Sequence, residues 1–284
     1  MSRKFELTDN SVVVVIGSGA GGGTLANELA QKGIDVVCLE AGSRLALSDI
    51  VNDPALMNER VNWNDKRLGP PVWLCKTVGG TTIRWSALAP RFQEHEFRPR
   101  STYGQLKDTS FIDWPVTLEE LAPYYDKAEY NMGVSGTHGL PPSLETSNYK
   151  VLNAGGHKIG YKEFTATRTA INSVPHDGRP GCLQIGFCTA GCKIGAKWST
   201  LYSEIPKAES TGHFELRSNA MALKIVHDDT GTVTGVIYKD AGGNTLEQKA
   251  RAVAIAANVV ETTRLLLNSE SSKFPNGLAN SSGQ

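Results

Sequence analysis

The chain has 284 residues, of which 40% are hydrophobic, and its 29 Lys and Arg balance 29 Asp and Glu. This composition predicts a globular protein with a sizeable core and no net field that attracts nucleic acid or an anionic membrane. No apolar secretory segment opens the sequence and no apolar run is long enough to span a bilayer. The sequence therefore predicts a cytoplasmic protein, with neither nucleic acid nor direct membrane insertion among its interactions.

A glycine-rich turn follows the first apolar segment. Five β-branched residues from Val12 to Ile16 predict a strand that is buried on both faces. Gly17, Gly19 and Gly22 then fill the frame G-x-G-x-x-G, which permits a tight turn, close backbone approach to a pyrophosphate and close helix packing. A helix is predicted from about Gly21 to Lys32, and its N-terminal N–H groups would favour a phosphate at the turn.

A second apolar strand is predicted from Val36 to Leu39 and is followed by Glu40. This carboxylate stands about twenty residues past the glycines, where it can accept hydrogen bonds from both ribose hydroxyls of a dinucleotide. It would repel a 2′-phosphate, which makes NADP the least favoured ligand. Alone, the glycines would be an ordinary turn of an α/β unit, but the complete arrangement predicts a dinucleotide site.

The middle of the chain is less regular. Residues 43 to 75 show little periodicity and predict an excursion over the surface. Lys76 to Phe92 contain adjacent glycines, adjacent threonines and a tryptophan, which suit either a loop against a flat ligand or a plain junction between loop and helix. Thr117 and Glu120 form a predicted capping box at the start of a helix, and residues 135 to 180 hold histidines at no metal-binding spacing.

Three of the five cysteines lie together in a glycine-rich segment. Thiolates at the density of Cys182, Cys188 and Cys192 can hold an iron–sulphur cluster, and three cysteines would suit a three-iron centre. Zinc is less favoured because no fourth ligand stands at a finger-like spacing. The alternative is a loop with buried free thiols.

The periodicity changes again after His213. HFELRS and the segments that follow it predict the strands of a small antiparallel meander. Ala252 to Ala257 is apolar and is predicted to rejoin the buried parallel sheet, with Asn258 capping a helix from about Val260 to Leu267. The predicted fold is thus α/β: a Rossmann-like parallel sheet with helices and an inserted antiparallel meander. Ligands bind such sheets at their carboxyl edge.

The order of these motifs resembles that of the glucose-methanol-choline oxidoreductases, flavoproteins that oxidise alcohols and sugars. The resemblance covers essentially the whole chain and rests on GSGAGGG with LEAG, VGGTTIRW, DWPVTLEELAPYYDKAE and ANVVETTRLLLNS. It implies that residues 1–284 are the FAD-binding part, with excursions at about 43–75 and 100–200. The implied reaction is hydride transfer from a CH–OH carbon to flavin N5, with electrons passed to an external acceptor.

The resemblance also implies which residues surround FAD. Gly17, Gly19, Gly22 and Glu40 would hold its ADP half, and Ala222 would offer backbone atoms to adenine. The full implied set is Gly17, Gly19, Ala20, Gly21, Gly22, Glu40, Ala41, Val78, Gly79, Gly80, Thr81, Thr82, Trp85, Ser86, Ala87, Ala222, Ala257 and Asn258.

Within the family, VGGTTIRW resembles the pyranose oxidase and sugar or gluconate dehydrogenase branch, in which a histidine before the tryptophan binds flavin covalently in some members. Arg84 stands at that position and cannot form the bond, which predicts non-covalent FAD. Gly181 to Ala196 resembles the cysteine segment of bacterial flavin sugar dehydrogenases that carry a [3Fe-4S] cluster, although other members keep similar cysteines without one. These likenesses favour a dehydrogenase over an oxidase, with an electron-transfer or small chaperone-like subunit as partner. Export together with such a subunit stays open beside the cytoplasmic prediction.

The catalytic residues remain unassigned, because the family's substrate domain and catalytic histidine pair are expected beyond residue 284. Two other classes stay open. A nicotinamide dehydrogenase would use the first motif but would not need Gly79 to Trp85. A flavin-free, metal-binding partner subunit would use only the cysteines.

Overall fold

The computed structural model describes residues 4–62, 74–109, 111–162, 164 and 166–280. The chain forms two compact units: Met1–Ser86 with Gly186–Gly195 and Ser199–Gln284, and Ala87–Ile185 with Ala196–Trp198. The first unit contains β1 (Val13–Ile16), α1 (Ala20–Ala30), β2 (Val36–Leu39), α2 (Pro54–Val61), α6 (Glu204–Ser210), β3 (Phe214–Arg217), β4 (Met221–His227), β5 (Val233–Lys239), β6 (Thr245–Lys249), β7 (Ala252–Ile255) and α7 (Val259–Asn268). The second contains α3 (Pro99–Tyr103), α4 (Leu118–Met132) and α5 (Ser147–Lys158).

A four-stranded parallel sheet in the order β3-β2-β1-β7 forms the centre of the first unit. Every residue of β1 and β2 is buried, because alternate side chains enter separate cores on the two faces. Val13 and Val15 pack in the core that also contains residues of α1 and α6. Val14 and Ile16 pack in the core that contains residues of the antiparallel strands. The prediction of a strand buried on both faces is confirmed.

The antiparallel meander is smaller than the sequence predicts. It consists of β4, β5 and β6, whereas the HFELRS segment forms β3 and pairs in parallel with β2, from Phe214 beside Val36 to Arg217 beside Leu39. The assignment of HFELRS to the meander was therefore wrong. In β3 the apolar Phe214 and Leu216 alternate in sequence with Glu215 and Arg217, a pattern that a half-buried antiparallel strand would also show, although burial along β3 does not alternate.

The described part of residues 43–75, which was predicted as an excursion over the surface, contains a helix that was not predicted, and most residues of this part are exposed. Asp53 caps α2 by accepting hydrogen bonds from two backbone N–H groups, and Pro54 occupies the first turn. Met57 and Val61 of this helix are buried with Ile50. Asp followed by Pro is a typical helix start in a sequence. The helix is too short to show an apolar periodicity, so the sequence alone did not predict it. Residues 63–73 lie outside the described part of the chain.

In the second unit, the predicted capping box is confirmed: Thr117 Oγ1 accepts a hydrogen bond from the Glu120 N–H at 3.1 Å, and the Glu120 carboxylate accepts one from the Thr117 N–H at 2.8 Å. Helix α5, capped by Thr146, was not predicted. Its only buried residue is Gly156, so no apolar stripe marks it in the sequence.

A buried ion-pair network surrounds Glu129 of α4. Arg91 donates to both carboxylate oxygens, at 2.8 Å and 2.6 Å, and His138 and Arg168 lie at 3.0 Å and 3.3 Å. The Arg91 hydrogen bonds lower the pKa of Glu129 to about 2, against the opposing effect of burial. Asp126, Glu129 and His138 are near enough to share a metal ion, but Arg91 also pairs with Asp126 and already supplies the cation.

We expect Glu129→Gln to destabilise the protein and to reduce its sensitivity to acid. Because the pKa of Glu129 is lower in the folded protein than in the unfolded chain, its negative charge stabilises the folded protein at pH values above the ordinary pKa of Glu. That stability, roughly 3 kcal/mol or less at neutral pH, is lost as pH falls towards 2. Urea unfolding between pH 7 and pH 3 measures it, with the exposed Glu119→Gln on the same helix as control. Parallel stability curves for wild type and Glu129→Gln would contradict the assignment.

Candidate cofactor site

A cavity of about 320 Å³ opens in the first unit at the carboxyl ends of β1, β2 and β7. Its wall contains the glycine turn after β1, Leu39 to Ala41 after β2 and Ala256 to Asn258 after β7. Residues 80–82 and 220–222 complete much of the wall. A cavity therefore lies at the carboxyl edge of the parallel sheet, where the sequence predicts the ligand.

The three glycines of the first motif have different surroundings. Gly17 has a φ of +96°, and a Cβ there would lie 2.8 Å from the carbonyl oxygen of Ala256. A Cβ at Gly22 would lie 2.0 Å from the carbonyl oxygen of Gly17, so this glycine lets α1 pack on the turn. A Cβ at Gly19 would have only Gly80 within 4 Å. The space beside Gly19 is therefore left to the cavity.

Glu40 lies 6% exposed on the cavity wall. Its Oε2 accepts hydrogen bonds from the Ser18 N–H at 3.1 Å and the Ser18 hydroxyl at 2.7 Å, and its Oε1 accepts one from the Gly42 N–H at 2.8 Å. Burial raises the pKa of Glu40, and these hydrogen bonds and Lys76 oppose the rise. Since a carboxylate has about four acceptor positions, one remains for a ribose hydroxyl rather than the predicted two.

The second glycine segment lies against the first. A Cβ at Gly80 would lie 3.0 Å from the Cα of Gly19, so the two backbones are in close contact. The Ser18 hydroxyl accepts a hydrogen bond from the Gly79 N–H at 3.1 Å while it donates to Glu40. Ser18, which is fully buried, thus joins both glycine segments to the carboxylate.

The far end of the cavity is formed by β4 and α7. Asn258 caps α7 as predicted, since its Oδ1 accepts a hydrogen bond from the Glu261 N–H at 3.0 Å. Arg264 donates to Glu261 at 2.7 Å and to the carbonyl oxygen of Ala222 at 3.0 Å. Of the backbone atoms that Ala222 was predicted to offer to adenine, the carbonyl is already bound.

Twelve predicted residues line the cavity: Gly17, Gly19, Ala20, Gly21, Glu40, Ala41, Gly80, Thr81, Thr82, Ala222, Ala257 and Asn258. Gly22, Val78, Gly79, Trp85 and Ser86 belong to the same unit but not to the wall, and Ala87 belongs to the second unit. Sequence reasoning missed five polar or reactive wall residues, namely Ser18, Cys75, Lys76, Glu261 and Arg264.

The three clustered cysteines are divided between the units. Cys188 and Cys192 lie in the first and Cys182 lies in the second, and all three are partly exposed. The iron–sulphur centre therefore stays a prediction. Cys38 is fully buried in β2, as its apolar neighbours indicated, and burial raises the pKa of its thiol.

Comparison with known proteins agrees with this geometry. The profile of the GMC oxidoreductase family matches residues 70–277, and a profile of NAD(P)-binding Rossmann-like domains matches residues 15–56. The chain belongs to the GMC oxidoreductase family. The prediction from the four motifs is confirmed, as is the α/β fold with a Rossmann-like parallel sheet.

Several GMC proteins align over nearly all of the chain. Paromamine 6′-oxidase of Streptomyces fradiae is 33% identical, with 95% of this chain and 52% of that protein covered. The large subunit of fructose dehydrogenase from Gluconobacter japonicus is 31% identical, with 95% and 56% covered. The crystal structure of pyridoxine 4-oxidase from Mesorbium loti superposes with a TM-score of 0.62 over 92% of this chain and 52% of that one, at 15% identity. The chain spans about half the length of these relatives.

No described helix of this GMC chain has the length and apolar character needed to cross a bilayer.

Proposed function

We propose that this chain forms the FAD-binding part of an enzyme that oxidises the CH–OH group of an alcohol or sugar. The observation that carries the proposal is the contact between two glycine segments, at Gly19 and Gly80, on the wall of a cavity that also holds a buried carboxylate. A nicotinamide site of the same Rossmann type has no need of the second segment, although the NAD(P)-binding profile matches the first. A bound flavin would have visible absorbance that a nicotinamide lacks.

The chemistry of the cavity wall suits a dinucleotide. The α1 N-terminus has no side-chain cap and lies at the turn, where its N–H groups would hold pyrophosphate with the backbone of Gly19 and Gly80. Glu40 would orient a ribose hydroxyl through its remaining acceptor position. When bound, FAD supplies the acceptor for a hydride. The described residues of this chain hold and orient that group, and we assign no catalytic residue among them.

The electron acceptor separates two versions of this function. Relatives of similar sequence identity include both oxidases and dehydrogenases by name. The fructose dehydrogenase among them is named as a large subunit. We infer a dehydrogenase with a partner subunit, on the strength of the cysteine segment. Oxygen consumption with substrate would instead support an oxidase, whereas reduction of an artificial acceptor without oxygen consumption would support the dehydrogenase.

We expect FAD to be non-covalent. Arg84 stands where a covalent member would need a histidine, and a guanidinium forms no bond of that kind to flavin. Acid precipitation of purified protein should release all of the yellow colour into the supernatant. Colour that stays in the washed pellet would overturn this prediction.

We also expect Cys182, Cys188 and Cys192 to ligate an iron–sulphur cluster that passes electrons from flavin to the acceptor. Cys188→Ser should then abolish bound iron and slow acceptor reduction, while flavin reduction by substrate continues because hydride transfer takes place at the flavin. Cys38→Ala, a buried thiol in β2, is the matched control and should retain iron. Anaerobically purified wild type without iron would exclude the cluster.

A further inference from the structure

Arg84 is a fully buried cation that directly follows the cavity wall. It is 1% exposed and comes immediately after the turn Gly80–Ile83, whose first three residues line the cavity. The N–H of Arg84 donates to the carbonyl oxygen of Thr81 at 2.9 Å. The backbone of Arg84 is therefore attached to the wall, although its side chain is not part of the wall.

The guanidinium reaches two other segments of the first unit. Nη1 donates to the side-chain oxygens of Asn58 and Asn62, at the end of α2, the latter at 2.7 Å. Nε donates to the carbonyl oxygen of Thr189 at 2.8 Å. Thr189 lies between Cys188 and Cys192, so a single side chain joins the cavity wall, α2 and the cysteine loop (residues 187–192). A planar guanidinium can donate in several directions at once, which an ammonium on a flexible stem does less well.

The cysteine loop makes an apolar contact in addition to the hydrogen bond from Arg84. This contact is made by Ala190, which is fully buried with Ile50, Met57 and Val61. A Cβ at the neighbouring Gly191 would lie 2.7 Å from Ile50, so the loop backbone is pressed against this cluster. The hydrogen bond from Arg84 to the Thr189 carbonyl fixes the backbone directly beside Cys188.

Burying a guanidinium is costly, and burial lowers the pKa of Arg84, with Cys75 acting in the opposite sense. Cys75 lines the cavity, and its thiol lies 3.5 Å from the same Asn62 oxygen that accepts from Arg84. The Arg84 guanidinium thus lies between the Cys75 thiol on the cavity wall and the loop that carries Cys188 and Cys192.

We propose that Arg84 is a positioning residue that holds the cysteine loop in a fixed relation to the cavity wall. This role goes beyond the proposed function and does not depend on which group, if any, the cysteines ligate. Loss of the guanidinium should free Cys188 and Cys192 while the flavin cavity, which the side chain does not line, stays intact.

The test compares iodoacetamide labelling of individual cysteines in purified wild type, Arg84→Met and Arg84→Lys, with each site quantified by mass spectrometry. We expect both variants to label Cys188 and Cys192 at least about tenfold faster than wild type, because opening of the loop becomes easier. Lysine should not rescue, since one ammonium cannot reach the amides and Thr189 together. If Arg84→Met does not fold, Arg84→Lys carries the test.

Two internal comparisons separate loosening of the loop from general unfolding. Labelling of Cys38, buried in β2, should be unchanged in every variant. Arg60→Met, on the same helix as Asn58, removes an exposed arginine bonded to the Asp49 carbonyl and should label like wild type. Unchanged labelling of Cys188 and Cys192 in a folded Arg84 variant would overturn the proposal, as would equal acceleration at Cys38. Failure of the proposed function would appear separately, as wild type without flavin.

Discussion

Gly19→Val is expected to remove bound flavin while the protein stays folded. Gly19 has a φ of −66°, which other residues adopt, and a Cβ there would have only Gly80 within 4 Å, at 3.9 Å. The valine side chain would occupy the space that a pyrophosphate needs. Hydrogen bonds to charged groups contribute about 1.5–3 kcal/mol each, so loss of one or two weakens FAD binding by roughly 10- to 20,000-fold. Equilibrium titration of FAD into apoprotein measures this loss.

Gly155→Val is the matched control for this substitution. Gly155 lies in α5, and a Cβ there would meet nothing within 4 Å. Its flavin affinity should equal that of wild type. Equal affinity in Gly19→Val as well, with circular dichroism unchanged, would show that no ligand approaches the first glycine segment.

Glu40→Gln is expected to weaken both flavin binding and folding. The wild-type carboxylate accepts from Ser18 and from the Gly42 N–H, whereas an amide would turn an NH2 group towards one of these donors. A buried donor left without an acceptor costs about 1–3 kcal/mol. Loss of the ribose contact should lower FAD affinity by a further factor of about ten.

Glu204→Gln separates these two effects. Glu204 is also buried, at 2% exposed, and accepts from Asn27 at 2.6 Å and from Ser203 at 3.1 Å. It is absent from the cavity wall. Thermal unfolding should show a loss of stability in both variants, and FAD titration should show a loss of affinity in Glu40→Gln alone. A similar affinity loss in both would remove Glu40 from the site.

The first cofactor motif could be predicted because its determinants are local. Strand, turn, helix and acid lie within thirty residues, and their periods and glycines report on short-range geometry. The position of β7 beside β1 was also predictable, since an apolar run that ends before a capped helix fits the parallel sheet. Gly17 and Ala256 confirm that contact.

The contacts that sequence reasoning missed join distant segments. Arg264 reaches Ala222 across 42 positions, and Arg84 reaches Thr189 across 105. No period or spacing in either segment indicates such a pair. The assignment of β3 failed for a related reason: partner choice in a sheet depends on the whole topology, and the alternation of residues within one strand does not report on its partner.

The absorbance spectrum of the purified protein, together with its FAD content after acid extraction, tests the central claim most directly. A flavin site made by the two glycine segments and Glu40 predicts the visible bands of oxidised flavin, about one FAD per chain, and complete release by acid. Folded protein that shows no flavin band after incubation with excess FAD would contradict the assignment of the cavity.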